Sequence, residues 1–295
     1  MTFQDFAFDS RLAAGIAASG YTQPTPIQQA AIPEVLAGRD VLGVAQTGTG
    51  KTAAFMLPIM QRLLDHPRQR TRGGARVLVL APTRELAEQI CQATREMGQR
   101  TDLKVTSVYG GVGKQGQAKR LRRGGEIVVA CPGRLLDVHG DGDIDLSGIE
   151  VLVLDEADRM CDMGFLPDLR EILGLLPTNR QSLFFSATMP REIRGLADSM
   201  LVAPVEVSIG ISQPAATVSQ AFYPVSEARK GALLTALLKH LGRERTLVFT
   251  RTKDRARLLA LVLGREGHSV AAMQGNMTQG QRQAAMEGFR KGRYD

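Results

Sequence analysis

The segment Ala45-Gln46-Thr47-Gly48-Thr49-Gly50-Lys51-Thr52 follows directly on the apolar run Val41-Leu42-Gly43-Val44. A buried strand that breaks into a glycine-rich turn and then opens a helix aims several backbone N–H groups at one point, which makes an anion cradle. Gln46, Thr47, Gly48, Thr49 and Gly50 form that turn, Lys51 adds a point charge for the β- and γ-phosphates of a nucleotide, and Thr52 offers a hydroxyl to magnesium. Ala45 stands where the strict G-x-x-x-x-G-K-[ST] pattern has its first glycine, so the octapeptide is weaker alone than with a partner motif. The partner comes about a hundred residues later, where Val151-Leu152-Val153-Leu154 ends in Asp155-Glu156-Ala157-Asp158. Asp155 suits the magnesium shell, and Glu156 suits the orientation and deprotonation of a water molecule. A helix dipole accounts for one acid at such a place, hardly for the whole run.

These two motifs sit in a longer pattern. Apolar, β-branched runs bounded by Gly or Pro recur at Val41-Val44, Val77-Leu80, Val105-Val108, Ile127-Val129, Val151-Leu154 and Leu183-Phe185, alternating with helix-period segments such as Leu86-Ile90 and Leu169-Leu173. That alternation predicts an α/β fold with a parallel sheet covered by helices on both faces. Ligands of such sheets bind at the carboxyl ends of the strands, where both motifs fall. The 295 residues are enough for two cores. The pattern predicts a first domain over 1–208, a connector over 209–217 and a second, incomplete domain over 218–295. Strands are expected in the second domain at Thr246-Val248 and Ser269-Ala271, with a helix over Asp254-Leu263 between them.

A net charge of +7 favours a polyanionic partner without saying which. Cys91, Cys131 and Cys161 are far apart and give neither a zinc pattern nor a disulfide framework. His66, His139, His240 and His268 are scattered and lack metal spacing. No apolar run approaches the roughly 18 residues of a membrane span and no basic-then-apolar leader opens the chain, so a cytoplasmic protein with no membrane partner is expected. Nothing in the sequence points to particular protein partners.

With the motifs in view, the sequence resembles the DEAD-box ATP-dependent RNA helicases. Besides Asp155-Glu156-Ala157-Asp158, the segments Gly20-Tyr21-Thr22-Gln23-Pro24-Thr25-Pro26-Ile27-Gln28, Pro82-Thr83-Arg84-Glu85-Leu86-Ala87, Gly110-Gly111, Pro132-Gly133-Arg134, Ser186-Ala187-Thr188 and Val248-Phe249-Thr250-Arg251-Thr252 are similar to family motifs in the family's order. The short lead and Met163-Gly164-Phe165 are similar to the bacterial RhlE-type subgroup. The resemblance implies two RecA-like domains, a P-loop domain and an incomplete second one, using ATP and Mg2+. It makes Lys51, Asp155 and Glu156 catalytic, with Thr52 and Asp155 as the metal-holding pair. It makes Gln28 an adenine reader, and Phe3 or Tyr21 its stacking or packing neighbour. On local chemistry Thr25-Pro26-Ile27-Gln28 is equally a helix capping box, and that alternative stands open. Ser186 and Thr188 are implied to couple the nucleotide site to domain movement through Asp158, although their hydroxyls could also simply cap the next helix.

RNA contact is implied for Pro82, Thr83, Arg84, Gly110, Gly111, Pro132, Gly133 and Arg134 in the first domain, and for Thr250, Arg251, Gly275 and Asn276 in the second. Gln281 and Arg282 match a further motif. Contacts of this kind, from loops and helix starts to phosphate and sugar, give affinity with little sequence preference. Cys131 occupies the place where the family usually has threonine. The runs Arg68-Gln69-Arg70-Thr71-Arg72 and Lys119-Arg120-Leu121-Arg122-Arg123 are basic, but charge runs beside glycines are usually solvated. The family's arginine-rich HRxGRxxR element has no match before Asp295. An arginine supplied to a phosphoryl-transfer site is worth roughly 10³–10⁵ in rate, so weak hydrolysis is expected of this chain by itself. A non-catalytic ATP- and RNA-binding clamp and a DNA translocase of a neighbouring helicase family are the alternatives.

Overall fold

The computed structural model describes residues 1–209, 218–242 and 244–295. The described residues form two compact units, one ending at Ile209 and the other beginning at Val218. Residues 210–217, most of the expected connector, lie outside the described residues.

In the first unit a short 3-10 turn over Phe3–Phe6 leads into α1 (Ser10–Ala18) and α2 (Pro26–Leu36). Strands and helices then alternate: β1 (Val41–Val44), α3 (Lys51–Asp65), β2 (Val77–Leu80), α4 (Arg84–Met97), β3 (Val105–Val108), α5 (Lys114–Arg122), β4 (Ile127–Ala130) and α6 (Pro132–Gly140). They continue through β5 (Val151–Leu154), α7 (Ala157–Asp162), α8 (Leu166–Leu175), β6 (Gln181–Ser186), α9 (Arg191–Met200) and β7 (Val205–Ser208). All seven strands are parallel, in the order β3-β4-β2-β5-β6-β1-β7.

The strand period of two divides each apolar run between two cores. Val77 and Val79 of β2 and Val151 and Val153 of β5 face a core built with α1 to α4. Leu78, Leu80, Leu152 and Leu154 face the opposite core, built with α6 to α9. Burial on both faces is why these strands read as continuous apolar runs. Phe184 and Phe185, neighbours on β6, are fully buried on opposite faces, and each contributes about 2–3 kcal/mol of apolar burial. β7 has no counterpart among the apolar runs of the sequence: this edge strand exposes Glu206 and Ser208 and buries only Val207. Ile209, the first residue of the expected connector, donates its N–H to Val44 O at 3.0 Å and so continues the β7 edge.

The second unit holds α10 (Lys230–Leu241), α11 (Lys253–Arg265) and α12 (Gln279–Arg290). The helix expected over 254–263 is present as α11. The strands expected at Thr246-Val248 and Ser269-Ala271 are not formed, and among the described residues this unit has no strand. A parallel strand draws its hydrogen bonds from neighbours and its burial from layers on both faces. Here Leu247 is 68% and Phe249 92% exposed, so neither condition is met among the described residues.

Candidate functional site

The parallel register brings the loops after the strands to one rim. Val44 pairs with Ser186, and the next residue, Ala45, donates its N–H to Ser186 O at 3.0 Å. Leu80 pairs with Leu154, and Asp155 N–H donates to Leu80 O at 3.0 Å. The glycine-rich turn, the acidic run and Ser186-Ala187-Thr188 therefore lie at the ends of the neighbouring strands β1, β6 and β5.

Gly50 ends the turn at φ 93°, a conformation open to glycine, and α3 starts at Lys51. Lys51 is buried, and its Nζ donates to Ala45 O at 3.0 Å while standing 3.9 Å from Asp155 Oδ1. Thr52 is the next residue of α3. Asp155 is 2% exposed, and its carboxyl is raised from 3.8 to about 6. Burial is the main cause; Lys51 opposes it, and Glu156 adds to it. Asp155 Oδ1 also accepts the N–H of Glu156 at 3.0 Å.

Glu156 adopts φ 54°, ψ 50°, a left-handed conformation that costs a residue with a Cβ roughly 1–3 kcal/mol. The bend turns its carboxylate toward the glycine-rich turn. Oε1 accepts from Thr47 Oγ1 at 3.2 Å, and Oε2 accepts from Arg159 Nη1 at 3.3 Å. Arg159 belongs to none of the motifs above. Its spacing of three from Glu156, at the start of a helix, is the signal that marks it.

Asp158 is tied to the end of β6. Its Oδ2 accepts both the N–H and Oγ1 of Thr188 at 2.9 Å, and its own N–H donates to Ser186 Oγ at 3.3 Å. Ser186 Oγ in turn donates to Thr188 O at 2.8 Å. Burial pushes the Asp158 carboxyl up, but the Thr188, Arg159 and Ser186 hydrogen bonds outweigh it and hold it below its ordinary value.

Gln28 is 1% exposed, and both ends of its amide are engaged. Oε1 accepts from Thr25 N–H at 2.9 Å, which is the capping bond, and Nε2 donates to Gly50 O at 3.0 Å. The amide thus links the start of α2 to the last residue of the glycine-rich turn. Phe3 is buried in the core that α1 to α4 share, edge-on to Tyr21 with ring centroids 5.9 Å apart.

Three further loops follow β2, β4 and β3, on the other half of the same rim. Pro82 is buried, and Thr83 caps α4 by accepting Leu86 N–H at 3.3 Å. The Arg84 guanidinium packs against Gly111, which has φ 76° and no room for a Cβ; Gly110 beside it is open. Arg134 Nη1 donates to Val112 O at 3.2 Å. Two arginines from neighbouring strand ends thereby clasp the Gly110-Gly111 loop. Pro132 begins α6, Gly133 is exposed in its first turn, and Cys131 is the N-cap without a side-chain capping bond. Burial pushes the Cys131 thiol up to about 12, so it stays protonated.

In the second unit Thr250 Oγ1 donates to Thr252 O at 3.0 Å, and Arg251 is exposed. Lys253 Nζ donates to Asn276 Oδ1 at 3.3 Å, which joins the start of α11 to the Gly275-Asn276 segment. Gln281 closes a capping box with Thr278 at the start of α12. Of the basic runs, Arg68 pairs with Glu150, Arg70 with Glu126 and Arg122 with Asp143. Those pairs tie both runs to acids of the same unit.

Thr52 and Asp155 supply hard oxygen donors, the chemistry magnesium prefers. The net rise of the Asp155 carboxyl, despite Lys51 at 3.9 Å, marks a carboxylate that a further cation would stabilise. Among the described residues no group of three or more His, Cys, Asp and Glu side chains could hold a metal. Magnesium in nucleotide sites needs only one or two carboxylates, with substrate phosphates and waters completing its shell. Among the described residues no helix is long and apolar enough to cross a membrane.

Residues 25–196 match the DEAD/DEAH box helicase family, and residues 229–295 match the helicase conserved C-terminal domain. The chain is 42% identical over 297 residues to the ATP-dependent RNA helicase SrmB of Escherichia coli, covering 100% of this chain and 67% of SrmB. It is 40% identical over 293 residues to the ATP-dependent RNA helicase DBP2 of Encephalitozoon cuniculi, covering 99% of this chain and 59% of that protein. With the DEAD-box ATP-dependent RNA helicase RhpA of Helicobacter pylori it shares 39% identity over 295 residues, covering 100% and 59%. The chain thus spans between 59% and 67% of the length of these relatives. The tandem matches and the parallel sheet identify two RecA-like domains in sequence. From the motifs at the rim of the sheet to the two family matches, the chain belongs to the DEAD/DEAH box helicases.

Proposed function

We propose that this chain is the ATP- and RNA-binding core of an ATP-dependent RNA helicase that opens short duplexes. The observation that carries the reading is the convergence of Lys51, Asp155 and Glu156 on one buried rim, with Asp158 hydrogen-bonded to Ser186-Ala187-Thr188 beside them. Lys51 leaves the Ala45 carbonyl to meet the β- and γ-phosphates, whose oxygens accept from the N–H groups of Gln46 to Thr52. Thr52 and Asp155 would hold magnesium, which neutralises charge on the phosphate oxygens. Glu156 exchanges Thr47 and Arg159 for the attacking water, orients it and takes its proton. Gln28 reads adenine from its place against Gly50, with Phe3 or Tyr21 as a stacking or packing neighbour.

RNA lies along the loops at Pro82-Thr83-Arg84, Gly110-Gly111 and Pro132-Gly133-Arg134, held by phosphate and sugar contacts with little sequence preference. Thr250, Arg251, Gly275 and Asn276 give the second unit's share. ATP and RNA together favour approach of the two domains, and the link from Asp158 to Ser186 and Thr188 reports the nucleotide state to that movement. The protein works in the cytoplasm, and the Met163-Gly164-Phe165 step favours an RhlE-type member.

The test is ATP hydrolysis with and without single-stranded RNA, beside Glu156→Gln. Hydrolysis by this chain alone is expected to be weak and to rise with RNA. In the variant, hydrolysis should fall by about 10²-fold or more while ATP affinity is kept. Competition at fixed salt between RNA and DNA of matched sequence separates an RNA enzyme from a DNA translocase. ATP and RNA binding without turnover would leave the clamp reading in place of the enzyme.

A further inference from the structure

The opposite end of the sheet carries a concave site, which nothing in the nucleotide reading uses. The segments entering β1, β5 and β6 and the C-terminal half of α3 surround a cleft of about 290 Å³. Its walls include Arg62, Arg68 and Arg180, the amides of Asn179 and Gln181, and a single acid, Glu150. The cleft is separated from the glycine-rich turn by the length of the strands, roughly 13–20 Å at 3.3 Å per residue.

Charge in the cleft is unbalanced. Glu150 already receives Arg76 through bonds of 2.7 and 3.0 Å, and Arg68 at 2.8 Å. One carboxylate therefore answers two guanidinium groups. Arg62 has a neutral partner: its Nη1 donates to Gln181 Oε1 at 3.3 Å. Gln181 is itself buried and fixed, donating to Val35 O at 3.0 Å and Arg39 O at 2.8 Å, so it orients Arg62 without neutralising it. Arg180 donates Nη1 to Pro177 O, while its Nε is buried with no hydrogen-bond partner. Burial lowers the affinity of Arg180 for its proton, with Asp40 opposing. A buried N–H without an acceptor is unfavourable, and an oxygen brought to it would relieve that cost.

We infer that this cleft binds a phosphate-bearing anion of about diphosphate size, held by Arg62, Arg68 and Arg180. Planar guanidinium forks suit the paired oxygens of phosphate. The three arginines come from α3, the loop after it and the segment before β6, and line one cleft. At about 30 Å³ for each water displaced, 290 Å³ exceeds the needs of one small ion and accommodates two linked phosphates. The phosphate can belong to a free oligophosphate or to the backbone of a nucleic-acid strand. The inference does not rest on the nucleotide site.

The test is a titration of the whole chain with inorganic pyrophosphate without magnesium, following the guanidinium Nε–H signals of Arg62 and Arg180 by 15N NMR. The Gly48 and Gly50 amides are followed in the same spectra, so binding at the glycine-rich turn is read separately. Saturable shifts of Arg62 and Arg180 are expected. Arg180→Gln, read at Arg62, should weaken the binding by about tenfold, leaving the Gly48 and Gly50 response unchanged. A second arm with a short single-stranded RNA distinguishes the sources. Shifts of the same arginines with RNA assign a phosphodiester backbone; shifts with pyrophosphate alone assign a free anion. Absence of saturable shifts with both probes up to about 10 mM overturns the inference, and so does undiminished affinity in folded Arg180→Gln. The wild-type titration decides the matter even if that variant fails to fold.

Discussion

Asp155→Asn is expected to stabilise the first unit while abolishing its chemistry. Asp155 is fully buried, and its carboxyl is raised from 3.8 to about 6. The folded protein therefore holds that proton more tightly than the unfolded chain does. The sign follows from linkage: the group's contribution to stability is fully present below about pH 4, and is lost as pH rises through about 6. The difference of about two pH units, at about 1.4 kcal/mol each, amounts to about 3 kcal/mol at pH 7 and above. The attraction of Lys51 at 3.9 Å and the Glu156 N–H bond are already contained in that net figure. Asparagine has nearly the shape of the protonated acid and keeps an acceptor for the Glu156 N–H.

Urea unfolding read from the methyl resonances of Leu152 and Leu154, over a series of pH values, measures this directly. The variant should gain about 3 kcal/mol at pH 7.5, and the gain should shrink to about 1 kcal/mol near pH 4.5. A functional carboxylate kept charged at the expense of stability is a common exchange at active sites. A variant less stable than the parent at pH 7.5, or a gain that ignores pH, would refute the assignment of burial as the dominant influence on Asp155.

Gly50→Ala should weaken ATP binding by about tenfold or more, measured by calorimetry, because φ 93° disfavours a Cβ and that Cβ would lie 2.5 Å from Gln28 Nε2. Cys131→Thr should raise stability by about 0.5–1 kcal/mol in thermal melts, since threonine supplies the capping acceptor that α6 lacks. Thr188→Val removes one of two bonds to Asp158; it should lower RNA stimulation of hydrolysis with little change in ATP affinity, and equal losses of both would contradict a coupling role.

Legibility in the sequence followed burial. Strands covered on both faces, such as Val77-Leu80 and Val151-Leu154, announce themselves as apolar runs, and each is bounded in the structure where the run ends. The edge strand β7 does not, because Val205-Glu206-Val207-Ser208 has a half-wetted alternation too short to stand out. Thr246-Val248 shows the converse. It has strand composition, but composition supplies no neighbour to bond with. At the site, the positions of Lys51, Asp155 and Glu156 follow from motif order and parallel topology. The left-handed turn at Glu156 does not, since backbone dihedrals of a non-glycine residue leave no mark in its identity. For Gln28 the local pattern permitted both a cap and an adenine contact; the structure shows the cap formed and adds the bond to Gly50, which no spacing rule could supply.

On the proposed function, the strand order divides the rim between two tasks. β1, β6 and β5 end in the groups that suit a nucleotide, while β2, β4 and β3 end in loops that suit a phosphate backbone. The halves meet at the β5–β2 pair, where Asp155 N–H bonds to Leu80 O and Pro82 follows two residues later. β6 lies between the glycine-rich turn and the acidic run, so its terminal loop touches both: Ser186 O receives Ala45 N–H, and Ser186 Oγ and Thr188 engage Asp158. Glu156 is two residues from Asp158 and bonds to Thr47 across the gap. A ligand that displaces Thr47 must therefore release Glu156, and any rotation of the short α7 that follows would pull on Thr188. Movement at the nucleotide end thus has a hydrogen-bonded route along the rim that requires no deformation of the sheet, whose two packed faces resist it.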